Sequence, residues 1–172
     1  MPFSLDTLEH PIVQAPMGGG PSTPALAAAV SEAGGLGFLA AGYKTPDAVR
    51  ADVEAVGALT DRPVGINLFA PPQPVPDPAA ITAYAERLRE WLGDDLGDPR
   101  HDDDHWDAKL ALVAELRVPV VSFAFGRPSE GEVAALREAG CAVWITVTSP
   151  EEARAAGDRE RAGPVQVGPQ LR

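Results

Sequence analysis

The sequence predicts an α/β fold with a parallel sheet. Short apolar runs of strand length recur along the chain, helix-start signals fall between them, and Gly or Pro bounds each run. The runs are "PIVQA" (11–15), "GLGFLAA" (35–41), "PVGINLF" (63–69), "VPVVSFAF" (118–125) and "AVWITV" (142–147). They are continuous rather than alternating in polarity, as strands buried on both faces read, so helices are expected to cover the sheet.

Helix punctuation supports the same rhythm. Ser22 or Thr23 can cap a helix begun by Pro24 and stopped near Gly34. Thr45 can cap one begun by Pro46, and Asp77 one begun by Pro78. Ser129 with Glu132, and Ser149 with Glu152, fit the S-x-x-E capping box, in which hydroxyl and carboxylate satisfy each other's orphan amides. Strand and helix therefore alternate, which is the βαβ order.

Strand starts near 12, 36, 64, 119 and 142 are separated by about 24, 28, 55 and 23 residues, so one interval is double the others. The excess lies at about 70–117, read as an acidic helical insertion after the third strand run. It comprises the proline-rich "PPQPVPDP", a stiff connection, a helix from Pro78 to about Leu92, the run "GDDLGDPRHDDDHWD" and a second helical stretch to Leu116.

Composition narrows the function classes. With 172 residues and 45% hydrophobic content, the chain is long enough for one well-packed domain. A net charge of −11 argues against nucleic-acid or anionic-membrane partners, which need clustered Lys and Arg. The single cysteine, Cys141, lies in an apolar context, which excludes a disulfide framework and suits a reducing cytoplasm. No apolar run reaches the ~18 residues of a membrane helix. Asp102, Asp103 and Asp104, between His101 and His105, carry oxygen and imidazole ligands. Neighbouring residues of an extended chain point apart, however, and calcium-loop spacing is missing. The expectation is a solvated loop that brings negative charge to the next helix N-terminus, with no metal.

Two glycine-rich stretches need separating. "GGLGFLAAG" matches G-x-G-x-x-A spacing, but its glycines follow a helix and open a strand, the reverse of a dinucleotide site. "MGGGPSTP" follows a strand and precedes a helix, yet lacks the Lys-Ser/Thr of a phosphate loop. It reads as a place where backbone approaches something flat or bulky.

The stretch "HPIVQAPMGGGPSTPALAAAVSEAGGLGFLAAGY" resembles the opening of the nitronate monooxygenase family, FMN-dependent TIM-barrel enzymes formerly called 2-nitropropane dioxygenases. "RPVGINLF", "VPVVSFAFG" and "GCAVWITVTSPEEARAA" resemble the family's later strand regions in the expected order. The resemblance implies that residues 1–156 form the N-terminal part of a flavin-binding (β/α) barrel, about five to six of eight units, and that 157–172 are a divergent or truncated tail. Barrels of this type bind ligands at the C-terminal ends of their strands. Ala15, Pro16, Met17 and Gly18 then match the family backbone against the isoalloxazine ring, and Asn67 matches the asparagine that contacts the flavin. Gln166 matches the family's flavin-contacting glutamine. Ser122 and Thr146 or Thr148 end further strands at the same mouth. The implied reaction is oxidation of an alkyl nitronate by way of FMN and molecular oxygen.

The sequence departs from the family where the catalytic histidine is expected. His10, His101 and His105 are the histidines present, and none falls in that motif, so no catalytic residue is assigned. An incomplete sheet would leave open edges that invite a homo-oligomer. Two alternatives remain at this level: a flavin-dependent enoyl-acyl-carrier-protein reductase, which shares the opening pattern, and a half-barrel without catalysis.

Overall fold

Each helix start that the sequence marks is built from a side chain taking up an orphan amide. The computed structural model describes residues 3–71, 77–93, 96–97, 101–157 and 166–167. Thr23 accepts from Leu26 N–H at the start of α1 (Pro24–Glu32), and Thr45 from Ala48 N–H at the start of α2 (Pro46–Gly57). Asp77 accepts from Ala79 and Ala80 N–H at the start of α3 (Pro78–Leu92). Each has proline in its first turn, where a missing N–H costs nothing. Ser129 and Glu132 complete the reciprocal box at α5 (Glu130–Glu138). At α6 (Pro150–Gly157) only half of the expected box forms. Ser149 accepts from Glu152 N–H, while the Glu152 carboxylate takes Thr148 N–H and Oγ1 instead of Ser149 N–H.

Between the helices run β1 (Gly37–Ala40), β2 (Val64–Phe69), β3 (Val120–Ala124), β4 (Ala142–Val147) and the two-residue β5 (Gln166–Val167). They pair in sequence order, every pair parallel, so each crossover returns the chain to the next position in one sheet. Among the described residues, the 55-residue interval holds α3 and α4 (Trp106–Glu115) and no strand. The proline-rich linker and most of the tail fall outside the described residues.

The sheet's two faces differ. Leu39, Ile66, Leu68, Val121, Phe123 and Val143 face the helices, where they meet Ala27, Val49, Val56, Val113 and Leu136. The other face carries Leu36, Phe38, Val120 and Trp144, and Phe3, Leu5 and Leu8 of the N-terminal segment pack over it. Phe38 and Phe3 lie 5.8 and 6.2 Å from the Trp144 ring centre. Both faces are thus covered, as the unbroken apolar runs require, but by helices on one side and by the N-terminal segment on the other.

The run at 11–15 is shorter than a strand. It makes one parallel bridge, Val13 to Leu36, with Gln14 N–H on Leu36 O (3.0 Å) and Leu36 N–H on Ile12 O (2.9 Å). The ladder stops there for a chemical reason. Phe38 N–H, the next rung, is taken at 2.9 Å by the Gln14 side-chain oxygen, and Pro16 brings no N–H of its own.

Helix α1 sits so close to β1 that only glycine fits at position 37. A Cβ there would lie 1.9 Å from Ala27 O. Helix α3, by contrast, buries Ala85 and leaves Ile81, Tyr84, Trp91 and Leu92 exposed.

Two tests follow from these contacts. Gly37→Ala should destabilise the chain by about 3 kcal/mol through overpacking, read as a lower urea midpoint; an unchanged midpoint contradicts the close approach. At Glu132, burial pushes the carboxyl pKa up, but hydrogen bonds from Ser129 and the Trp106 indole outweigh it and leave the group below the ordinary carboxylate range. A depressed folded pKa means that the stabilisation is present above the unfolded value and lost as pH falls through the folded one. Glu132→Gln should therefore lower stability at neutral pH and flatten its acid dependence, and equal acid sensitivity in both proteins would contradict this assignment.

Candidate functional site at the C-terminal strand ends

Parallel pairing sends the C-terminal ends of β1 to β4 to one rim. Ala40 pairs with Asn67, Asn67 with Ser122 and Ser122 with Trp144, so the rim's residues are fixed by register. Strand alternation points Asn67 and Ser122 away from the helices, on the same face as Phe38 and Val120 but nearer the rim.

Asn67 and Ser122 are both buried. The Asn67 amide Nδ2 donates to Ser122 Oγ at 2.9 Å and to Ser122 O at 3.3 Å. Among the described residues its Oδ1 accepts no hydrogen bond, so a fixed amide presents an acceptor at the rim. Thr146 lies half-buried on the same face. Thr148 does not join them, because its hydroxyl and N–H are turned to Glu152 at the start of α6. Gln166 is placed by its backbone beside Thr146 in the β4–β5 pair, and its side chain lies outside the described residues.

The turn after the Val13 bridge is held by two side chains whose role the sequence did not disclose. Ser22, read as a candidate helix cap, is buried and does other work: its Oγ accepts Met17 N–H at 2.8 Å and Gln14 Nε2 at 3.0 Å. Gln14 Nε2 also donates to Ala15 O. One glutamine thus binds the β1 backbone through Oε1 and the turn through Nε2, bracketing Ala15 and Pro16. Beyond the bracket Met17 and Gly18 are exposed, and a Cβ on Gly18 would lie 3.9 Å from the Tyr43 ring. The bracket explains why the Pro-Met-Gly turn stands in one place beside the rim.

The acidic run is not a fully solvated loop. Asp104 folds inward, where one oxygen accepts Tyr43 N–H at 2.9 Å and meets Lys109 Nζ at 2.8 Å. Lys109 is 1% exposed and also donates to Ala41 O at 2.9 Å. The second Asp104 oxygen is buried with no partner among the described residues. The charge of Lys109 compensates it, since a buried ion is tolerable only when paired. Asp102 and Asp103 accept from Asp104 and His105 N–H, so the run folds on itself, and His105 starts α4 without a side-chain cap. Trp106 anchors the same helix, donating from its indole to Glu132 at 2.7 Å and stacking edge-on to Phe123. No group of three or more candidate metal ligands occurs among the described residues.

A sequence profile described as nitronate monooxygenase matches residues 3–163. The chain belongs to the nitronate monooxygenase family. The nitronate monooxygenase of Pseudomonas aeruginosa is 39% identical over 153 residues, covering 85% of this chain and 43% of that protein. A probable nitronate monooxygenase of Bacillus subtilis is 37% identical over 151 residues, covering 86% and 43%. A nitroalkane oxidase from Streptomyces ansochromogenes, of known structure, superposes with a TM-score of 0.81 at 51% identity over 90% of this chain and 45% of that one. The chain therefore spans less than half the length of these nitronate monooxygenase relatives, and its strand–helix repeats form part of a TIM-type barrel of a flavin-dependent family. Family membership favours the nitronate monooxygenase reading over the enoyl-acyl-carrier-protein reductase one.

Removing the two hidden supports of the rim should be measurable. Ser22→Ala strips Met17 N–H and Gln14 of a buried partner and should cost about 1–3 kcal/mol in denaturant unfolding. Lys109→Met leaves Asp104 and Ala41 O without their cation, and Asp104→Asn leaves the more deeply buried Lys109 without its counter-charge, so each should cost on the order of 3 kcal/mol. A denaturant midpoint unchanged in either variant would contradict the ion pair.

Proposed function

We propose that this chain supplies the flavin-contacting part of an FMN-dependent oxidoreductase that oxidises alkyl nitronates with molecular oxygen. The observation that carries the reading is the Asn67 amide, immobilised by Ser122 and presenting Oδ1 at the rim of the sheet to which Gln14 ties the Pro16–Met17–Gly18 turn through Phe38 N–H. The residues fit a flavin chemically. A pyrimidine edge carries an N–H that Asn67 Oδ1 can accept, Met17 provides a polarizable apolar contact, and Gly18 lets the backbone come close. Ala15 and Pro16, held by Gln14, fix the direction of that approach, and Gln166 on β5 is assigned to the same cofactor.

Bound FMN would supply the electron-accepting chemistry, taking electrons from the nitronate and passing them to oxygen. The chain's own residues bind and orient. The Asn67 side chain is locked by Ser122 before any ligand arrives, so little ordering is needed on binding. The two histidines of the acidic run, His101 and His105, are exposed on the β2–β3 connection, and no residue of the chain is assigned a proton-transfer role. The nitronate and oxygen are the small-molecule partners, and a second copy of the chain is a further one. The reading places the protein in the cytoplasm. Its cysteine Cys141 is free and buried, with a thiol pKa raised by burial, and no described helix is long and apolar enough to cross a membrane.

FMN titration tests the assignment. Asn67→Ala, checked for unchanged circular dichroism, should bind FMN about tenfold more weakly, the loss of one hydrogen bond in a buried setting. Equal affinity in the two proteins would remove Asn67 from the site. Nitronate-dependent oxygen uptake by the FMN-loaded chain is the accompanying assay for the reaction.

A further inference from the structure

Tyr43, Phe69 and Phe125 form a continuous aromatic row along the rim. Tyr43 lies just past the end of β1, Phe69 ends β2, and Phe125 lies just past the end of β3. Tyr43 and Phe69 meet edge to face at 5.2 Å, and Phe69 meets Phe125 the same way at 4.8 Å. The row begins beside Gly18, and it lies so close to the chain that a Cβ on Gly42 would come within 2.2 Å of the Phe69 ring. It is therefore continuous with the turn assigned to the cofactor.

Its exposure and its backbone are both unusual. Tyr43 is 82% and Phe125 78% exposed, although apolar rings are ordinarily buried. Both also adopt left-handed backbone, φ 65° and 68°, a region that bulky side chains rarely enter. Such strain persists only where surrounding contacts over-determine it, and it concentrates at ligand sites. At Tyr43 two contacts supply this: Asp104 holds its N–H, and Lys109 holds the carbonyl of Ala41 two residues earlier. The β2–β3 connection thus fixes a strained turn whose visible result is to hold an aromatic ring out over the rim.

We propose that this row is the surface that binds the hydrocarbon tail of the substrate and sets its preference for chain length, with Asp104 and Lys109 as positioning residues for Tyr43. The proposal rests on the nitronate reading above. It adds that the discriminating contacts come from the strand ends of this chain. Edge-to-face rings give a ridged apolar surface without hydrogen-bond donors, apart from the Tyr43 hydroxyl, so it selects for methylene groups and not for a polar tail. Each methylene removed from water onto such a surface is worth about a factor of four in affinity.

The test is a ligand-observed NMR titration of the full chain, with excess FMN present, using the primary nitroalkane series from nitroethane to 1-nitrohexane. Dissociation constants should fall by about fourfold per added methylene. In Tyr43→Gly and Phe125→Gly, which relieve the left-handed strain and so keep the fold, the dependence should drop below about twofold. Lys109→Met should shift it in the same direction while leaving Phe69 and Phe125 in place. Affinity independent of chain length in the unaltered chain overturns the proposal, as does an unchanged dependence in the two glycine variants. FMN binding measured on the same samples separates the two readings. A retained length dependence without FMN binding would support the row and remove the cofactor assignment, and FMN binding with a flat series would do the reverse.

Discussion

In-register parallel pairing of β1, β2 and β3 is the constraint on which the rest of this structure depends. Parallel strands require crossovers, so the helices lie on one face and all C-terminal strand ends gather at one rim. Because side chains alternate, register also decides which of them face away from the helices. Pairing of Ala40 with Asn67, and of Asn67 with Ser122, places two polar side chains next to each other on a face otherwise packed with Leu36, Phe38, Val120 and Trp144. A slip of one residue in β2 would send Asn67 into the helix-facing core and bring Leu68 to the rim. The site is therefore a consequence of the sheet, and the amide–hydroxyl bond between Asn67 and Ser122 is what makes that polar pair tolerable in a buried position.

A second layer of organisation comes from residues that bind backbone rather than ligand. Gln14, Ser22, Asp104 and Lys109 spend their polar atoms on main-chain groups of Ala15, Met17, Phe38, Ala41 and Tyr43. They do so where regular pairing gives out, at the end of the Val13 bridge and just past β1. Loops of this kind would otherwise leave N–H and C=O groups buried without partners. The long connection between β2 and β3 is thus joined to the rim by a buried lysine, and its negative charge is partly consumed inside the molecule. Its other helix, α3, keeps an apolar stripe exposed.

Much of this was legible in the sequence because the relevant signals are local. Thr23, Thr45, Asp77 and Ser129 cap the helices they precede, and the runs at 63–69, 118–125 and 142–147 contain β2, β3 and β4. Of the proposed site, local pattern marked the glycine-rich turn after Met17, and the family resemblance alone marked Asn67. What could not be read was long-range. Phe38 N–H is captured by a side chain 24 positions away, which ends the first strand early. Asp104 reaches Tyr43 across 61 positions and Lys109 reaches Ala41 across 68, so neither signal exists in any window of sequence. The one hint was a lysine within the apolar stretch of α4, at "AKLALV", where a buried cation demands a partner. The aromatic row was likewise hidden, since its three rings come from three separate strand ends.

The functional role proposed for this rim depends on its holding a flavin. The most direct measurement is the visible absorption spectrum of the purified chain, with the released chromophore identified by chromatography. An oxidised-flavin spectrum is expected, with FMN as the species released and occupancy approaching one per chain after incubation with FMN. A chain that is folded by circular dichroism yet stays colourless after that incubation would contradict that role.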